Sequence, residues 1–68
     1  MYAIIHVDEK GLKRERHEQS TNGMLAVMAE IATRIIATGF SFTYSSLQLP
    51  SIHVDNGHHF YVERHSQH

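Results

Sequence analysis

One stretch of the chain, Ser20 to Gly39, carries the spacing of an amphipathic helix. Met24, Met28, Ile31 and Ile35 form its central stripe, with Val27 on one flank and Leu25, Ala32 and Ile36 on the other. The apolar arc covers about half the circumference, which suits a helix lying on a sheet. Ser20-Thr21-Asn22 supplies N-cap side chains, and Gly39 supplies a left-handed stop after Thr38. Glu30 and Arg34 are an i,i+4 pair on the solvent side. Ala26, Ala29, Thr33 and Ala37 give the far side a row of small residues. With 68 residues there is room for one domain and no more. The rest of the core must therefore come from strands.

Tyr2 to Val7 is a β-prone run that is apolar on both faces, so it reads as a central strand. Asp8-Glu9-Lys10-Gly11 is a hairpin connection. Leu12 to Glu18 returns with charge on both faces, as an edge strand can but a central one cannot. A solvated loop is the alternative. Phe40, Phe42 and Tyr44 alternate with Ser41, Thr43 and Ser45, which marks a strand with one aromatic face. Pro50 ends the stretch that follows or places it at an edge.

Ile52 to Val54 and His59 to Arg64 flank Asp55-Asn56-Gly57-His58, a second hairpin. A two-residue Asn56-Gly57 turn would mix apolar and polar residues on both faces. A three-residue loop with Gly57 left-handed pairs Ile52 with Phe60 and Val54 with His58, so that Ile52, Val54, Phe60 and Val62 share one face. The sum is an α+β fold of order β-β-α-β-β-β, a single helix packed on one face of an antiparallel sheet. Residues 1–68 form a single domain, with 65–68 expected as a flexible tail.

Lys and Arg number 6 and Asp and Glu 7, giving a net charge of -1 with His neutral, which argues against a strong grip on nucleic acid. The absence of Cys excludes disulfides and thiolate metal sites. Met1 to His6 lacks a basic start and is too short for a signal peptide, and Met24 to Phe40 is interrupted by Glu30 and Arg34. Cytoplasmic location and no membrane association are the expectations.

The seven histidines are the compositional anomaly. His53 with His59, or His58 and His59 with His65, could be set against a metal, but the neighbours His58 and His59 point to opposite faces. Solvated surface histidines are the plainer reading, and neither metal nor cofactor is expected. A phosphate loop, a nucleophile elbow and paired carboxylates are all missing, and Ser45-Ser46 with His59 lacks supporting context. No enzyme is expected.

The opening Tyr2-Ala3-Ile4-Ile5, the charged Arg14-Glu15-Arg16 return, the Ala26 to Ala37 helix and the final Phe60-Tyr61-Val62-Glu63-Arg64 strand together resemble small phage- and prophage-encoded inhibitors such as type I anti-CRISPR proteins. The resemblance is one of layout and size. It implies a non-catalytic protein that binds and blocks a large host protein or ribonucleoprotein complex.

Two surfaces suit a partner. One is the basic edge with Lys13, Arg14 and Arg16, joined by Arg64. The other is the outer sheet face with His53, His59 and Tyr61. A homodimer is a further expectation. A nucleic-acid-binding regulator using the Lys10 to Arg16 edge is the alternative function, and a His-based metal-binding protein the next.

Overall fold

The computed structural model describes residues 1–66. In chain order they form β1 (Tyr2–Val7), β2 (Lys13–Glu18), α1 (Thr21–Thr38), β3 (Phe42–Ser45), β4 (Ser51–Val54) and β5 (His59–Arg64). The strands make one five-stranded antiparallel sheet in the order β2-β1-β5-β4-β3, with α1 on one face. The α+β layout read from the sequence is the layout of the structure, and the charged return is an edge strand rather than a loop.

Local chemistry explains where the elements start and stop. The Ser20 hydroxyl accepts the Gly23 N–H at 2.9 Å, capping α1. Gly39, at φ 83°, closes the helix by donating its N–H to the Ile36 carbonyl at 3.1 Å. The β1–β2 connection is tied by the Asp8 carboxylate, which accepts N–H groups from Leu12 and Lys10 at 2.9 Å each. The Leu12 bond, then the Lys10 bond, hold the Asp8 carboxyl below its ordinary value.

The β4–β5 hairpin takes the three-residue loop. Ile52 pairs with Phe60 and His53 with His59, while Val54 N–H donates to the His58 carbonyl at 2.8 Å and Gly57 adopts φ 91°. Phe40 differs from the alternating pattern that would begin β3 there. The β3–β4 register sets Phe42 against Val54, so the position opposite Phe40 falls inside the 55–57 loop. Phe40 has no strand to pair with and is 48 % exposed.

The core lies between α1 and the inner face of the sheet. Met24, Val27, Met28 and Ile35 from the helix meet Tyr2, Ile4, Ile52, Val54 and Val62. A second apolar group, Ala3, Ile5 and Val7 with Tyr61 against it, lies on the outer face, where no helix covers it. Its cover is lateral: Val7, Ile5 and Ala3 lie between Lys13, Glu15 and His17 on one side and His59, Tyr61 and Glu63 on the other. Long polar side chains shield apolar neighbours with their stems and keep their heads in water. The tail expected at 65–68 is anchored at its start, because His65 N–H donates to the Met1 carbonyl at 2.9 Å. Its last two residues lie outside the described residues.

Candidate functional site

The outer face carries a ladder of rings. His53 and His59 are cross-strand partners whose rings stack at 5.3 Å and 11°, and His59 stacks on Tyr61 at 5.9 Å and 20°. Alternation along β4 and β5 puts all three rings on the side opposite Ile52 and Phe60. Lys13 joins this face one strand further over, since Val7 separates it from His59. Charge on the face is mixed. Glu15 pairs with His17 at 3.4 Å and Glu63 with His65 at 3.2 Å.

The other basic residues face the helix side. Arg14 and Arg16 are opposite His6 and Ile4. Arg16 Nε reaches the Glu18 carboxylate at 3.3 Å. Arg64 lies beside Tyr2, donating to its hydroxyl at 3.3 Å with the guanidinium 5.5 Å from the ring centre. Residues expected to form two surfaces are thus regrouped by alternation. Lys13 goes with His53, His59 and Tyr61, while Arg14, Arg16 and Arg64 line the opposite rim.

A third arrangement escapes the sequence. His6 Nε2 lies 2.8 Å from His58 Nδ1, and His58 Nε2 lies 2.5 Å from Glu9 Oε2. The carboxylate can only accept, so His58 donates to it through Nε2. When His58 is neutral, its Nδ1 accepts from the Nε2–H of His6. The His6 ring also stacks on Phe60 at 4.2 Å and 22°. His6 and His58 border a groove of about 280 Å³ whose apolar walls include Ile31, Ile35 and Phe60. The groove's one hydroxyl, Thr38 Oγ1, donates to the Ile35 carbonyl at 2.6 Å, so it is not presented to a base. Alternation along β1 puts His6 on the face of Ile4, and the β4–β5 hairpin sets the His58 carbonyl against the Val54 N–H. Only the pairing of β1 with β5 brings the two together.

Burial, then repulsion from His58 and Arg14, pushes the His6 pKa below its ordinary 6.5. Asp8 opposes the shift, and His59 adds to it weakly. The unfolded chain therefore binds this proton more readily than the folded one. Stability is full above about pH 6.5 and falls as pH drops from there through the folded value. Urea midpoints of the wild type should decline from pH 7 to pH 5. His6→Phe keeps the stack on Phe60 and removes the titration, so its profile should be flatter. An unchanged slope in His6→Phe would remove His6 as the cause.

Among the described residues no three His, Cys, Asp or Glu side chains gather as a metal-ligand set. His58 turns to Glu9, His59 stacks between His53 and Tyr61, and His65 turns to Glu63. Among the described residues no helix is long and apolar enough to cross a membrane.

The architecture defines a small single-helix α+β module with an uncovered sheet face. No protein-family model, curated protein or solved structure matches the chain.

Proposed function

We propose that this chain is a non-catalytic protein-binding regulator, phage- or prophage-encoded and cytoplasmic, that acts by occupying a surface of a larger host complex. The observation that carries the reading is the Tyr61-His59-His53 ladder beside the apolar Ala3-Ile5-Val7 strip, on a face no element of the fold covers. Ala3, Ile5 and Val7 are themselves buried, so Tyr61 and the two histidines are the accessible part of that face, and aromatic rings within a polar rim are the make-up of protein-interface centres. Lys13, Glu15 and Glu63 leave the rim close to neutral, which suits a mixed protein surface better than a phosphate backbone.

Capture from host lysate, with wild type and His53→Glu side by side, tests this. His53 is exposed, so the variant should fold as the wild type does by circular dichroism. The wild type should retain one complex that His53→Glu loses. Equal retention by both would remove the ladder from the interface.

The nucleic-acid reading has one observation in its favour: Arg14, Arg16 and Arg34 line a common groove between β2 and α1. Glu18 and Glu30 already hold Arg16 and Arg34. A gel shift that survives moderate salt would move the function to that groove.

A further inference from the structure

The two edges of the sheet are made of opposite materials. β2 is charged at every position except His17, and such an edge resists pairing with a foreign strand. Among the described residues β3 pairs only with β4, and it carries no charge. From Ile35 to Val54 the chain has no Asp, Glu, Lys or Arg at all.

The open edge also presents usable backbone. Asp55 N–H donates to the Ser41 carbonyl at 2.9 Å, which turns the backbone groups of Ser41 toward β4. Direction alternates along an antiparallel strand, so the N–H and C=O of Phe42 and Tyr44 face outward. Large apolar side chains are exposed in β3 and on α1. Tyr44 is 51 % exposed, Leu25 45 % and Ile36 66 %. Arg34 and Glu30 lie on the β2 side of α1, so Leu25 and Ile36, on the opposite flank, lie on the β3 side.

We propose that the chain forms a two-fold dimer by pairing β3 antiparallel with β3 of a second copy. A dyad at Thr43 sets Phe42 opposite Tyr44 of the partner subunit, and Tyr44 opposite Phe42 of the partner subunit. Each such pair exchanges both N–H···O bonds, so every outward backbone group of Phe42 and Tyr44 is satisfied. Two cross-strand Phe–Tyr contacts form on the helix side, and Thr43 meets its own copy on the other. A shift by one residue would set inward side chains against outward ones. A shift by two keeps the faces but removes both Phe42–Tyr44 pairs: Phe42 or Tyr44 then meets its own copy, and residue 40 or 46, beyond the strand, faces the other. The two helices then share one side of a continuous ten-stranded sheet, with Leu25 and Ile36 of each turned toward the dyad.

A second copy is the occupant because the edge is its own complement: uncharged, aromatic on one side, hydroxylated on the other. The contact is the same on both subunits, so it closes as a dimer and does not propagate. The His53-His59-Tyr61 face stays open on each copy, and the dimer stands whether or not that face binds a partner.

Sedimentation of the full chain at high micromolar concentration should give twice the 7.8 kDa chain mass. Thr43 is exposed, so Thr43→Lys and Thr43→Glu should fold normally by circular dichroism. Each places like charges face to face at the dyad and should weaken the dimer about tenfold or more. An equal mixture of Thr43→Lys and Thr43→Glu should regain the dimer as a mixed pair. A wild type that stays monomeric, a Thr43→Lys dimer as tight as wild type, or a mixture that stays monomeric overturns the proposal.

Discussion

Ile52→Ala should cost about 2–5 kcal/mol, the range for emptying a fully buried aliphatic site. Ile52 is 0 % exposed, the only large side chain so completely enclosed among the described residues. It pairs with Tyr44 on one side and Phe60 on the other and belongs to the cluster under α1. Native stability runs at about 0.05–0.15 kcal/mol per residue, so a chain of 68 residues holds roughly 3–10 kcal/mol in all. The loss takes a large share of that, and the melting temperature should drop by tens of degrees. Leu12→Ala, at a residue 59 % exposed, is the control and should stay within about 0.5 kcal/mol. Thermal melts at one fixed protein concentration give the comparison, since association raises apparent stability by mass action. Equal costs for the two variants would mean that α1 does not close over β4.

What the sequence made legible was local. Alternation assigned Ile52, Val54, Phe60 and Val62 to one face and His53, His59 and Tyr61 to the other, and the buried face then chose the loop length. Tyr2 to Val7 read as central because both of its faces are apolar, and β2 and β5 flank it. The order of strands across the sheet was not legible, because it depends on pairings between distant segments. That gap hid the His6–His58–Glu9 chain, whose members come from β1, the β4–β5 turn and the β1–β2 loop. It also hid the contrast between edges, since nothing local says that β3 ends the sheet. For Leu12 to Glu18, charge on both faces could not choose between edge strand and loop. The choice falls to the β1 backbone, which pairs Lys13 through Glu18 residue for residue.

Gly57→Ala should cost more than Gly39→Ala, and the excess measures the contact that holds the Glu9 carboxylate at His58. Both glycines have positive φ, 91° and 83°, where a Cβ costs about 1–2 kcal/mol. At Gly39 an added methyl meets nothing within 4 Å, so strain is the whole cost there. At Gly57 it meets Glu9 Cβ at 3.3 Å and Glu9 Cα at 3.8 Å. Two loops that are remote in sequence thus approach closely because residue 57 has no side chain, and Glu9 is delivered to His58 by that approach. Pushing Glu9 back by a few tenths of an ångström loosens its bond to His58, which orients the ring that His6 donates to. The pH readout separates this from strain. Gly39→Ala should keep the wild-type decline in stability below about pH 6.5, displaced uniformly downward. Gly57→Ala should change the slope itself, because the electrostatic surroundings of His6 change with the position of His58. Parallel pH profiles for the two variants would show that Glu9 reaches His58 without help from Gly57.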